Sequence, residues 1–323
     1  MPLNFGIIGP GSIADRSLAP AINSLDGIRF WSVTSRSLDR AKKFAREHGA
    51  AAEKPAYDDY DEMLTDSDLD AVVVSTPDRL HFEHGMKAAE AGKHVLMEKP
   101  MVASSAEGEE LLETCESSGV KLGVAYHLRW HRGHRKLVKR IREGSLGEIH
   151  HARVLWSFQA EDDSNWRAHR EVGRWWGLGG VGTHGLDLIR WALLPSCGEV
   201  KKVESTIANN YWASPHDETA MINLKFESGA TAELTTSVLF ESEPEFKVYG
   251  REGGAVCRGT LGPHGGGSIE LMGEELEFSQ ENPYRGEFRD FLRAIKRDRE
   301  PEVPGKEGLR NVEILEEGSP ENY

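Results

Sequence analysis

The sequence predicts an α/β protein. An N-terminal Rossmann domain with a doubly wound parallel sheet is followed by a C-terminal α+β domain with a large, open, mostly antiparallel sheet. Three observations carry this expectation. Short apolar runs alternate with helical patterns through the first third of the chain, as in βαβ units. The first strand–helix junction is the glycine-rich GPGSIA. Beyond residue 200, β-rich runs follow one another without a helix between them.

Element by element, LNFGIIG (3–9) reads as a strand, followed by a helical pattern through Leu25 that Gly27 stops. IRFWSVTS (28–35) is the next strand, and SLDRAKKFAREHG (37–49) a helix with a glycine terminator. A weak strand near 51–57 leads to a short acidic helix at 58–64. DAVVVSTP (70–77) is a buried strand, 79–92 a helix, and KHVLMEKP the strand after it. A helix over 104–118 and VKLGVAY (120–126) complete the alternation, and right-handed crossovers make it doubly wound. The domain boundary is placed between 124 and 125. In the second domain, 125–323, a basic helix (RGHRKLVKRIREGS) precedes the long strand GEIHHARVLWSF. A Trp- and Gly-rich stretch, the helix HGLDLIRWALL, several β runs and two C-terminal helical segments follow.

Composition narrows the function classes. A net charge of −14 argues against nucleic acid, whose phosphates require a basic face. No run of about 18 apolar residues offers a membrane span, and the N-terminus lacks the basic and cleavage regions of a signal peptide. Cys115, Cys197 and Cys257 are scattered and odd in number, which suits a reducing cytoplasm.

In GPGSIA, Gly9, Gly11 and Ala14 match G-x-G-x-x-A, at the end of a strand and the start of a helix. That pattern sets Gly9, Pro10, Gly11, Ser12 and Ile13 against a dinucleotide pyrophosphate. NAD readers carry an acid about 20 residues on. Here the second strand closes on Ser35 and Arg36, with Arg40 in the following helix. A hydroxyl and two guanidiniums suit a 2′-phosphate, so the expected cofactor is NADP, with NAD as the alternative.

With the phosphate loop, STPDRLHFEHGMKAAEAGKHVLMEKP (75–100) and GSLGEIHHARV, the chain resembles the Gfo/Idh/MocA oxidoreductases over nearly its whole length. The resemblance implies hydride transfer between a nicotinamide and a carbohydrate-type alcohol or ketone. It also implies a homodimer or homotetramer formed through the C-terminal sheet. It assigns Lys99 of Glu98-Lys99-Pro100 to the reacting carbinol, beside the nicotinamide. A partly desolvated lysine near a cationic ring has a lowered pKa and can share the substrate's proton. Ser75, Thr76, Pro77 and His81 match the loop under the nicotinamide. Trp166 and Arg167 match a W-R pair turned toward cofactor and substrate, and Tyr284 a tyrosine that reaches back to the cofactor, with packing as its alternative. Tyr126, His127 and Arg129 lie at a strand end that faces substrate in the family.

The second-domain signature, G-G-G-x-x-x-D-x-G-x-H-x-x-D, is only partly met by RWWGLGGVGTHGLD. His184 and Asp187 fall on H-x-x-D and Gly182 on the preceding glycine, but Gly180 stands in place of the first Asp. His184 is then the imidazole partner of Lys99, and Asp187, at i+3, its orienting carboxylate. Arg174, Trp175 and Trp176 replace the glycine triplet; the two indoles suggest an aromatic wall for substrate, or core packing. His127, His131 and His134 lack a companion Cys or acid, so no metal site is expected. Two alternatives stay open: a non-catalytic nucleotide-binding regulator, and a dehydrogenase of a less polar, dihydrodiol-like substrate.

Overall fold

In the computed structural model, residues 1–212 and 214–319 are described. They divide into two units, one of residues 1–125 with 284–312, the other of the described residues from 126 to 283 with those from 313 to 319. Residues 284–312, expected in the second domain, pack with the first.

The first unit holds six parallel strands: β1 (Leu3–Ile8), β2 (Ile28–Thr34), β3 (Ala56–Tyr57), β4 (Ala71–Val74), β5 (His94–Met97) and β6 (Leu122–Val124). Their order, β3-β2-β1-β4-β5-β6, reverses direction between β1 and β4, the switch point at which such sheets bind ligands. The central strands are continuous apolar runs because both faces are covered: AVVV in β4 is buried at every position. The covering helices are α1 (Ala19–Asn23), preceded by a π-helical turn at Ala14–Leu18, α2 (Leu38–His48), α3 (Tyr60–Leu64), α4 (His81–Glu90) and α5 (Ser105–Ser117). Ser37 caps α2 and Gly49, at φ 69°, ends it. Ser104 and Glu107 close a capping box on α5.

In the second unit, α6 (Arg132–Arg142) and β7 (Ile149–Leu155) are followed, after a long loop, by α7 (Thr183–Cys197). The remaining strands are β8 (Val200–Ala208), β9 (Thr219–Phe226), β10 (Thr231–Ser237), β11 (Glu245–Gly250), β12 (Gly253–Arg258), β13 (Ser268–Leu271) and β14 (Glu274–Glu275). The eight strands run β14-β13-β12-β11-β7-β10-β9-β8, antiparallel except for the parallel β7–β10 pair. In β9 the residues alternate between buried and exposed, as one covered face requires.

The helix α8 (Pro283–Lys296) belongs to the first unit. Its Phe288 and Phe291 meet Phe5 edge-on at 6.1 Å each. Each such ring removed from water is worth about 1.5–3 kcal/mol, which is why this distant segment returns to the first unit. The last helix, α9 (Gly305–Gly318), gives residues to both units.

Candidate active site

On the first unit, the β1 strand ends at Gly9 in a left-handed conformation, φ 86°. A Cβ there would lie 2.9 Å from the Ser75 carbonyl oxygen, so only glycine lets the two loops meet. The Ser75 hydroxyl faces the Ile8 and Gly9 carbonyl oxygens, 3.0 Å from each, tying the end of β4 to that of β1. At Gly11 an added Cβ would approach nothing closer than the Gly9 carbonyl oxygen at 3.9 Å. Protein packing therefore does not demand a glycine at Gly11, and its backbone is left open, as a pyrophosphate cradle requires. Exposed Ser12 and half-buried Ile13 complete this cradle, which fits a dinucleotide.

Beside it, Ser35 closes β2 and its hydroxyl accepts from the Ser37 amide at 3.4 Å. Arg40 donates from Nη2 to the Pro10 carbonyl at 2.6 Å, holding an exposed guanidinium against the glycine turn. Exposed Arg36 adds a second cation at the same strand end.

Lys99 follows β5 and is 9% exposed, between buried Glu98 and Pro100. His81, at the start of α4, explains how this corner is built. Its Nδ1 lies 2.8 Å from the Pro100 carbonyl and its Nε2 2.9 Å from the Thr76 carbonyl. Burial pushes the ring down to about 4, so it is neutral and donates one N–H. His81, expected beneath the nicotinamide, is thus a buried tie between the 75–77 loop and the Lys99 loop. Tyr284 is likewise buried, packed in the core of the first unit with its hydroxyl bonded to Ser17.

On the second unit, α7 is buried on nearly all sides, consistent with the run LDLIRWALL. A Cβ at Gly185 would lie 2.8 Å from Val154 on β7 and from Leu234 on β10, so the missing side chain lets the helix sit close on the sheet. That approach places His184, 5% exposed, among three rings. His127 meets it edge-on at 4.5 Å, Tyr126 edge-on at 5.9 Å, and Trp156 stacks on it at 5.9 Å. The Tyr126 hydroxyl lies 2.8 Å from that of Thr183. Both Asp187 oxygens accept from Arg129, Nε at 2.8 Å and Nη2 at 2.6 Å, within a buried ion pair.

The π-helical turn (Leu178–Gly182) that leads into α7 is anchored by Asp217. Its Oδ1 accepts from the Trp176 amide at 2.9 Å and its Oδ2 from the Leu178 amide at 2.7 Å. Burial lifts the Asp217 carboxyl to about 7 while these amides pull it down. Trp175 and Trp176 are 1% and 0% exposed. The Trp175 indole N–H donates to Ser319, Arg174 stacks on its ring, and Trp176 packs on Trp212. The aromatic wall expected of these two indoles is therefore core. Trp166 and Arg167 are half-buried on a 3₁₀ turn (Trp166–Ala168), with the Arg167 guanidinium 4.0 Å over the Trp166 ring.

His131 and His134 are structural. The Nδ1 of His131 accepts the Gly133 and His134 amides and caps α6, and Nε2 donates to Gly266. His134 lies 2.8 Å from the Thr260 hydroxyl. Among the described residues, no three His, Cys, Asp or Glu side chains are placed to hold a metal ion, and no helix is long and apolar enough to cross a membrane.

Sequence reasoning missed Trp156 and Asp217. The signal for Trp156 was present, since it continues the alternation Ala152, Val154 toward the helix-covered face. For Asp217 there was none, because its partners are backbone amides about 40 residues away.

Comparison with known proteins agrees with this architecture. Residues 3–126 match the NAD-binding Rossmann domain of the GFO/IDH/MocA oxidoreductase family, and residues 134–256 match the family's C-terminal domain. The chain is 28% identical over 311 residues to 1,5-anhydro-D-fructose reductase of Ensifer adhaerens, covering 94% of this chain and 92% of that one. It is 27% identical to D-xylose 1-dehydrogenase (NADP(+)) 2 of Haloferax volcanii, covering 98% and 97%. An aldose-aldose oxidoreductase from Caulobacter crescentus, solved with glycerol, superposes with a TM-score of 0.90 at 25% identity, covering 98% and 96%. With its Rossmann cradle, its second-domain sheet and both domain matches in place, the chain belongs to the Gfo/Idh/MocA family of NAD(P)-dependent oxidoreductases.

Proposed function

We propose that the protein transfers hydride between NADP(H) and a sugar-like alcohol or ketone, with Lys99 and His184 handling the proton. The observation that carries this reading is the tie made by His81. One buried ring fills the space between the loop at the end of β4 and the loop that holds Lys99, hydrogen-bonded to one of the two carbonyls it faces, so the lysine is held near the nucleotide cradle. The relatives named above act, by their names, on sugars and anhydrosugars, and that supports the substrate class.

When bound, the dinucleotide gives or takes the hydride. Gly9 through Ile13 hold its pyrophosphate, and Ser35, Arg36 and Arg40 bind the 2′-phosphate that distinguishes NADP from NAD. Ser75, Thr76 and Pro77 line the nicotinamide side, and Glu98 supports the backbone at Lys99. In the oxidative direction, the carbinol O–H donates its proton to the Lys99 amine or the His184 imidazole as its C–H bond breaks. In the reductive direction the same groups return it. Tyr126, His127 and the Arg129–Asp187 pair hold His184 in place, and Trp166 and Arg167 contact substrate.

The test is direct. NADPH oxidation and NADP⁺ reduction are measured across aldoses, polyols and anhydrosugars, beside Kd values for NADPH and NADH. Turnover of at least one sugar and tighter NADPH are expected. Silence across the whole panel would instead indicate a regulator that only reads the nucleotide, and tighter NADH would overturn the cofactor assignment.

A further inference from the structure

We propose that Trp156 and Phe158 form an aromatic wall beside His184 that selects deoxy sugars over their fully hydroxylated counterparts. This rests on the sugar oxidoreductase reading above and names the substrate class within it.

The wall follows from register. Past the end of β7, the chain continues to pair with the end of β10. The Trp156 amide donates to the Thr235 carbonyl at 3.1 Å, and the Phe158 amide to that of Ser237 at 3.0 Å. Side chains two apart in extended backbone point the same way, about 6.6 Å from each other. On the facing element, Gly180 lies four residues before His184, in the π-helical turn Leu178–Gly182 that leads into α7. Two contacts join the strand to this segment. Trp156 stacks on His184, with the ring planes 27° apart. At Gly180, a Cβ would lie 3.3 Å from Cε1 and 3.6 Å from Cζ of Phe158. The edge of the phenyl ring therefore occupies the space a side chain at position 180 would take.

The consequence concerns polarity. At Gly180 the helical segment offers no side-chain donor or acceptor, and the Phe158 ring that faces it offers only hydrocarbon. The nearby polar groups of this unit are engaged with each other, Tyr126 with Thr183 and Arg129 with Asp187. A sugar hydroxyl set against the Phe158 ring would leave water and gain no partner from it, whereas a CH₂ or CH₃ group would gain contact. Trp156 and Phe158 are both half-buried; Phe158 packs against the small cluster of Ala168, Trp176 and Val238 and keeps part of its ring exposed. An apolar pocket rejects an added hydroxyl only moderately, by roughly 10²-fold at most. The expected signature is therefore a preference, not an absolute exclusion.

The experiment measures kcat/KM for the native enzyme, Phe158→Asn and Phe158→Tyr on aldoses and their mono-deoxy analogues, one hydroxyl removed at a time. The native enzyme should favour one deoxy analogue over its parent by about ten- to a hundredfold. Phe158→Asn should erase or invert that ratio at the same ring position. Phe158→Tyr keeps the ring, so it folds where Asn does not, and the oxygen at its tip should move the ratio in the same direction. A native enzyme that favours every fully hydroxylated sugar, or ratios that both variants leave unchanged, would overturn the inference while leaving the oxidoreductase assignment standing. If the native enzyme turns over no sugar of either kind, the function proposed above fails, and this inference with it.

Discussion

Arg129 and Asp187 form a two-bond ion pair, 4% and 1% exposed, that joins the turn bearing His127 to the helix bearing His184. The pair braces the segments that bring the two imidazole rings to 4.5 Å. Removing one partner leaves a buried charge uncompensated, so Asp187→Ala should cost about 3–5 kcal/mol of stability by urea denaturation. The double variant Arg129→Met/Asp187→Leu should recover most of that loss. A single variant as stable as the native protein would show that the pair braces nothing.

Arg40 carries the cofactor prediction. Its bond to the Pro10 carbonyl uses one guanidinium nitrogen and leaves further donors for a phosphate. Arg40→Ala should weaken NADPH binding by about 1.5–3 kcal/mol, the range for a lost charged hydrogen bond, and leave NADH binding nearly unchanged. Fluorescence titration reads both. Equal weakening of the two nucleotides would mean that Arg40 only supports the glycine turn.

The tie made by His81 gives a pH dependence with a definite sign. Burial holds the folded-state ring at about 4, below its ordinary value near 6.5. The unfolded chain therefore binds a proton that the folded chain refuses, and stability falls as pH drops from about 6.5 toward 4. His81→Gln should flatten the part of the slope in that window that belongs to this ring. Parallel stability curves for the two proteins would contradict the assignment.

Asp217 predicts a structural effect at the π-helical turn before α7. Asp217→Ala leaves the Trp176 and Leu178 amides without an acceptor, at a cost of about 1–3 kcal/mol for each buried donor. Chemical denaturation measures the loss. An unchanged midpoint would show that other groups hold this turn.

The nucleotide domain was readable because its signals are local. Apolar runs, glycine stops and the GPGSIA turn each lie within a few residues, and all six parallel strands were anticipated. The placement of 284–312 was not, because what draws α8 to the first unit is Phe288 and Phe291 meeting Phe5, a contact spanning almost the whole chain. The same limit applied at the site. Lys99 and His184 stood out by motif, whereas Trp175 and Trp176 look the same in sequence whether they line a pocket or fill a core. Their burial follows from partners such as Ser319 and Trp212, which no spacing rule connects to them. The neighbouring rings, Trp156 and Phe158, meet His184 and Gly180 across the fold, a relation visible only once the two elements are folded.

The most direct test of the account is the turnover of Lys99→Ala on the best sugar substrate, measured beside its NADPH affinity. The proton role assigned to Lys99 predicts a fall in kcat of about 10²–10⁴-fold with nucleotide binding nearly intact. Native-like kcat in that variant would contradict it.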